Sequence, residues 1–263
     1  MLIGFCGSIE QAELAKSCGF DYLEPGITTI CAMSEEEFAE KQAYLQRVGL
    51  PVLTANLFLP GDWPLGHAPL DEERNRAYLE IATERLSQLG VKAAVLGSGG
   101  ARELSDDFGR EKGKEQFKAF YRQAAEILGE KGIFVAIEPL CKKECNFLNT
   151  VKETFDLLQS LPEGPKGINC DFYHAGQENE SLSVLNQAGS LLRHCHIAHP
   201  VTRKAPLPDD GADYQAIFQA LKDCGYGGTI SFEGDWENNP ALLQASTVFL
   251  KKTAEEVFGI KAI

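Results

Sequence analysis

Residues 133–138 read IFVAIE, and three later runs have the same design: GINCD at 167–171, LRHCHI at 192–197 and TISFE at 229–233. Each is a short apolar stretch rich in β-branched or aromatic residues that carries a carboxylate or an imidazole at or near its end. Side chains alternate along an extended strand, so Phe134, Ala136 and Glu138 share one face and Ile133, Val135 and Ile137 the other. The same parity pairs Asn169 with Asp171, His194 with His196, and Ser231 with Glu233. Four consecutive strands thus bring Glu138, Asp171, His196 and Glu233 to one rim.

Upstream of these runs lie four more candidate strands, Leu2–Gly7, Asp21–Glu24, Pro51–Leu57 and Val91–Gly97, which with Ile133–Glu138, Gly167–Asp171, Leu192–Ile197 and Thr229–Glu233 make eight. Helical patterns separate them, the signature of βαβ units and a parallel sheet. Start signals support those helices: Ser34 with Glu37 and Thr150 with Glu153 read as capping boxes, and Asn239 precedes Pro240. Gly19, Gly49, Gly90, Gly132 and Gly225 each fall between a helical pattern and the next strand, where a left-handed residue closes the helix. Eight such units either close into a barrel or spread as a doubly wound sheet. Gly4, Gly7 and Ser8-Ile9-Glu10 do not match the GxGxxG spacing that a dinucleotide-binding sheet requires after its first strand. Polar residues gathered at strand ends are how a barrel builds a site at its C-terminal face. The fold expected is therefore α/β, a (β/α)8 TIM barrel forming a single domain over residues 1–263.

Composition agrees with one soluble domain: 263 residues, 44% hydrophobic and 24% charged. The first residues, MLIGFCGSIEQAELAK, carry no basic region or small-residue cleavage site, and no apolar run reaches membrane-spanning length. The chain reads as cytoplasmic. Eight cysteines lie scattered, with Cys141 and Cys145 the one loose pair, and reduced packing residues account for them. A formal net charge of −13 repels polyanions, so nucleic acid and anionic membrane are not expected partners.

Three carboxylates converging on a small space repel one another, and a divalent cation is the natural compensator. A set of oxygens with one imidazole suits Mn²⁺, Mg²⁺ or Co²⁺, with Zn²⁺ also admissible. One such ion is expected between Glu138, Asp171, His196 and Glu233.

The segments AIEPLCKKECNFLNT from Ala136, NCDFYH from Asn169, HCHIAHPVTRKAPLP from His194 and GYGGTISFE from Gly225 resemble the xylose-isomerase-like TIM barrels. That group includes ketose 3-epimerases, hydroxypyruvate isomerases, inosose dehydratases and endonuclease IV, and the likeness runs over essentially the whole chain. It is closest in motif to the ketose 3-epimerases. That resemblance implies the same four metal ligands, with Glu138 and Glu233 doubling as acid and base. It also implies that Glu144, six residues past Glu138, and His174, three past Asp171, touch the substrate. Arg203 resembles the basic residue of the loop after the seventh strand, although it stands one residue farther from His196 than in those epimerases.

Two further groups are candidate substrate contacts. The run Gly97-Ser98-Gly99-Gly100-Ala101-Arg102 offers backbone N–H groups to hydroxyls or a phosphate, with Ser98 a contact and Arg102 the nearby cation. Phe58, Trp63 and His67, in the loop after the third strand, form an aromatic lid that excludes water. Glu24, closing the second strand, either lines the site or supports it from behind. His194 is expected to hydrogen-bond in the layer beneath the metal rather than to bind it, and His199 has no assigned role.

The resulting expectation is an isomerase or epimerase of a small ketose or sugar derivative, phosphorylated or not, working through a cis-enediolate. One Glu removes the proton and the other returns it from the opposite face. A dehydratase or hydroxypyruvate-type isomerase would share the metal and the enediolate. Endonuclease IV-like repair stands far behind, because it needs a multi-metal cluster and the chain has five histidines. A homo-oligomer is left open.

Overall fold

The computed structural model describes residues 1–259; the last four positions of the domain reading, 260–263, lie outside the described residues. The strands are β1 Leu2–Cys6, β2 Tyr22–Glu24, β3 Thr54–Ala55, β4 Ala93–Leu96, β5 Phe134–Ile137, β6 Lys166–Asp171, β7 Leu192–Ile197 and β8 Thr229–Phe232. Between and after them run α1 Ala12–Ser17, α2 Ile27–Ala32, α3 Glu35–Val48, α4 Glu72–Leu89, α5 Gly99–Arg102, α6 Arg110–Gly129, α7 Val151–Gln159, α8 Phe172–Gln177, α9 Leu185–Ala188, α10 Tyr214–Asp223 and α11 Pro240–Phe258.

All strand pairs are parallel, in the order β2-β1-β8-β7-β6-β5-β4-β3. The two edge strands meet through bridges from Leu23 to Val52 and from Gly26 to Asn56, which close the sheet into a barrel. The third strand is much shorter than the expected Pro51–Leu57. Pro51 has no N–H for the ladder, and Leu57 turns into the left-handed region with φ 51°, which ends the strand.

Helix ends follow their chemistry. Ser34 and Glu37 form both halves of a capping box ahead of α3, and the Asn239 side chain accepts from the backbone N–H of Ala241 and Leu242 ahead of α11. At α7 only half of the expected box forms. The Thr150 hydroxyl accepts from the Glu153 N–H, but the Glu153 carboxylate accepts from the N–H of Asn149, one residue earlier. The five glycines expected to close helices all have positive φ.

Ile3, Phe5, Leu23, Ile137, Ile168, Cys195, Ile197 and Phe232 point outward into the helix layer and are buried there. The barrel interior carries polar side chains from β2, β6, β7 and β8 beside small apolar ones such as Val95 and Ala136. Gly4 makes room for Tyr22: a Cβ there would lie 2.1 Å from the ring, so the phenol crosses the barrel beside β1 and its hydroxyl meets Ser231 Oγ at 2.8 Å. Asn169 stands opposite His194, Asp171 opposite His196 and His196 opposite Ser231 in the ladders, so the strand parity read from the sequence is the one observed. All eight cysteines are free. Among the described residues no helix is long and apolar enough to cross a membrane.

Candidate functional site

At the C-terminal mouth, ligand atoms of Glu138, Asp171, His196 and Glu233 all lie within 4.8 Å of one another. His196 Nδ1 is the centre of the group. It sits 2.8 Å from Glu138 Oε1, 3.6 Å from Glu233 Oε2 and 3.1 Å from Asn169 Nδ2. Glu138 and Glu233 project from just past β5 and β8, three strands apart around the barrel.

Asp171 divides its carboxylate between two tasks. Oδ1 caps α8 by accepting from the N–H groups of Tyr173 at 2.6 Å and His174 at 3.2 Å. Oδ2 is buried and has no hydrogen-bond partner. An orphaned carboxylate oxygen inside a cluster of two further carboxylates and an imidazole is costly unless a cation joins it. The donor set therefore fits a divalent ion held by oxygens and one nitrogen.

The other side of the imidazole is fixed. His196 Nε2 lies 3.0 Å from Glu24 Oε1, so its N–H donates downward and Nδ1 faces the cluster. Glu24 is fully buried, and its Oε2 accepts from His194 Nε2, Thr54 Oγ1 and Ser231 Oγ. Burial opposes charge on Glu24, but the His194 and His196 imidazoles outweigh it and hold the carboxyl well below its usual range. Glu24 thus supports the site from behind, and His194 lies beneath the cluster as its position suggested.

The two rim glutamates are unlike. On Glu138, burial is outweighed by His196, and the carboxyl is lowered. On Glu233, burial and the facing Glu138 and Asp171 carboxylates push the group up to about 7 against the opposing charges of His196 and Arg203. Gly97 bears on the first of these: a Cβ there would lie 2.3 Å from Glu138 Oε2, so only glycine leaves the carboxylate its place.

Arg203 reaches this group. Its Nη1 donates to Glu144 Oε1 at 3.0 Å and its Nη2 to Glu233 Oε2 at 2.7 Å, with the guanidinium over the Tyr173 ring. Its backbone is in the left-handed region, φ 57°, a strained state for a long side chain. His199 explains how the turn holds: Nδ1 accepts from the N–H groups of Val201 and Thr202, and its carbonyl accepts from the N–H of Arg203.

His174 is also brought in. The Cys141 N–H donates to its Nδ1, so the neutral ring carries its proton on Nε2. That nitrogen is buried without a partner, 3.8 Å from Glu144 Oε2 and 3.9 Å from Asp171 Oδ2. A protonated ring nitrogen is a donor and not a ligand.

Three of the expected contacts make other bonds in this structure. Trp63 is turned onto α4: its indole N–H donates to Asn75 Oδ1 at 2.7 Å, Arg74 covers its ring at 4.0 Å and Tyr78 packs beside it. Phe58 is buried edge-on against Phe120. Ser98 Oγ accepts from the Leu59 N–H at 2.9 Å, stapling one loop to the next. The glycines after it serve close backbone packing, since a Cβ on Gly99 or Gly100 would strike the carbonyl oxygen of Glu144 or Gly61. Arg102 is fully buried, with Nη2 on the Glu138 carbonyl at 2.7 Å, and is no surface cation for a phosphate.

Asn56 and Asn169 went unassigned in the sequence. Asn56 Nδ2 donates to Glu233 Oε1 at 3.2 Å and Asn169 Nδ2 to Glu138 Oε1 at 2.9 Å, one amide for each rim glutamate. Asn169 shares the parity of Asp171 and Asn56 falls in the third candidate strand, signals that were present but carry no charge.

These features define a class: a closed (β/α)8 barrel with a carboxylate and histidine cluster in its C-terminal mouth. The chain belongs to the xylose isomerase-like TIM barrel family, whose sequence model matches residues 12–253. It is 30% identical over 117 residues to the ketose 3-epimerase of Arthrobacter globiformis, a match spanning 44% of this chain and 40% of that protein's length. It is 24% identical over 243 residues to the 3-dehydro-D-guloside 4-epimerase of Escherichia coli strain K12, covering 86% of each. The D-psicose 3-epimerase of Clostridium cellulolyticum H10, solved with D-tagatose, superposes with a TM-score of 0.82 at 19% identity over 97% of this chain and 99% of that one, which shows the shared fold.

Proposed function

We propose that the chain is an epimerase or isomerase of a small ketose or related sugar derivative, working by proton transfer at the carbon beside a carbonyl. Matched relatives named as ketose and glycoside epimerases support the reaction class. One observation carries the reading. Glu138 and Glu233 each turn one oxygen toward His196 Nδ1 and the other away, Glu138 Oε2 toward Gly97 and Glu233 Oε1 toward Asn56. Each carboxylate thus keeps one oxygen turned away from the imidazole for a substrate proton, the one on Glu233 shared with the Asn56 amide.

A single divalent ion, Mn²⁺, Mg²⁺ or Co²⁺ ahead of Zn²⁺, held by Glu138, Asp171, His196 and Glu233 would supply Lewis-acid stabilisation of the negative charge that develops on a carbonyl oxygen. The protein's own groups do the rest. Glu138 and Glu233 exchange protons with the substrate carbon from two sides, a contribution of ~10²–10⁴-fold for each such step. Asn56 and Asn169 hold the two carboxylates in place. Arg203 and the Nε2–H of His174 would donate to hydroxyl or carbonyl oxygens, Glu144 would accept from a hydroxyl, and Glu24 keeps the His196 ring in one orientation.

The test is proton NMR of a free ketose with the Mn²⁺-, Mg²⁺- or Co²⁺-supplemented chain in D₂O. Deuterium is expected at the carbon next to the carbonyl, and Glu138→Gln and Glu233→Gln should each abolish isomerisation, one of them still exchanging the proton on its own face. Product formed with no deuterium at long times, or normal turnover by both variants, overturns the two-glutamate reading.

A further inference from the structure

Beside Glu233, on the side of β1 and β2, a cleft of about 360 Å³ opens between the turn after β1 and helix α2. Its floor is Glu24 and Asn56, already tied to the cluster, so it is continuous with the site. Its volume falls within the range of pockets that enclose a ligand larger than a single small sugar.

The lining is of two kinds. Ile9, Ile30, Met33 and Leu57 give it apolar walls. Leu57 is 55% exposed and held in the left-handed region by its place between β3 and the Thr28 N–H, which donates to its carbonyl. Leu57 thus presents an apolar face at the lip of the cleft, continuous with the buried Ile9 and Ile30 of its walls. The charged groups are Glu10, Glu24 and Glu233, and none of the described lining residues is Lys, Arg or His. Glu10 is paired with Lys41, and Arg203, which joins the cluster through Glu144 and Glu233, is not among the residues that line the cleft. A phosphate dianion entering here would meet carboxylates and no free cation.

We propose that this cleft is a substituent subsite: the substrate is an unphosphorylated sugar carrying an uncharged group with an apolar face, such as an aglycone ring, which lies between Leu57 and α2 while the sugar sits at the cluster. The proposal rests on the epimerase reading and narrows its substrate class. Thr29, exposed on α2 and lining the cleft, plays no part in the cluster.

Binding is read without turnover, by NMR titration of the full chain with D-glucose, D-glucose 6-phosphate and phenyl β-D-glucopyranoside. The phenyl glucoside should bind at least ~10-fold more tightly than glucose, the scale of one well-buried apolar contact, and the phosphate ester no more tightly than glucose. Thr29→Trp, and independently Met33→Trp at the end of α2, should fill the cleft and erase the phenyl advantage while leaving glucose binding unchanged. Equal binding of phenyl glucoside and glucose, tighter binding of the phosphate ester, or a phenyl advantage that survives both folded variants overturns the subsite. A chain that shows the expected pattern but washes no deuterium into any ketose overturns the epimerase reading instead.

Discussion

The α-carbon of Gly97 faces the Glu138 carboxylate so closely that a methyl group there would stand 2.3 Å from Oε2. Gly97→Ala must therefore move the carboxylate rather than merely crowd it. A displacement of about 1 Å in a reacting group costs on the order of 10²-fold in rate. The expected result is that loss in kcat with a folded, cooperatively melting protein, checked by kinetics and thermal denaturation side by side. Unchanged kcat would show that Glu138 does not act from the position seen here.

Glu24 and His196 form the second testable pair. Glu24→Gln keeps the shape but places an NH₂ group where one oxygen now accepts from several donors, so the imidazole loses its fixed orientation. Metal affinity should fall by ~10–100-fold, the usual cost of removing a partner behind a histidine ligand. Isothermal titration with Mn²⁺ or Co²⁺ measures it, and affinity equal to that of the unaltered chain would remove Glu24 from the site's support.

The tautomer of His174 separates substrate contacts from ligands. Its Nε2 carries a proton, and Glu144 is half-exposed against Arg203. His174→Ala and Glu144→Gln should retain the metal and lower turnover by ~10-fold or more, as expected where a substrate hydrogen bond is lost. Elemental analysis beside kinetics decides, and metal loss as complete as in Glu138→Ala would make these residues ligands.

The pH dependence follows from Glu233, raised from its ordinary 4.5 to about 7 by burial and by the facing carboxylates. Its proton favours the folded, metal-free chain below pH 4.5, and that contribution is lost as pH rises through about 7. A bound cation takes the place of that proton, so metal affinity should climb with pH up to about 7 and then level off at this group. The gain in Tm on adding metal should accordingly be larger at pH 8 than at pH 6. Equal gains at the two values would contradict the crowding of carboxylates on which the site is built.

How much of this was legible beforehand depends on the range over which each feature is encoded. Strand alternation is local, and it was enough to put Glu138, Asp171, His196 and Glu233 on one face of four strands; the capping residues and closing glycines are local too, and most behave as their chemistry dictates. Barrel closure was inferred from where the polar residues fall, and the bridges Leu23–Val52 and Gly26–Asn56 beside β2 and β3 bear it out. What only the tertiary structure decided are relations between residues with no shared period. Glu24 meets His196 172 residues along the chain, and a buried carboxylate at a strand end reads the same whether it faces the mouth or the layer beneath. Arg203 reaches Glu233 because the turn held by His199 aims it there, which spacing from His196 does not encode. Trp63 gives its indole N–H to Asn75 and Ser98 Oγ accepts from the Leu59 N–H, bonds that neither residue's type encodes. A side chain's type limits the bonds it can make, but which partner it meets is set when the helices and loops pack around the closed barrel.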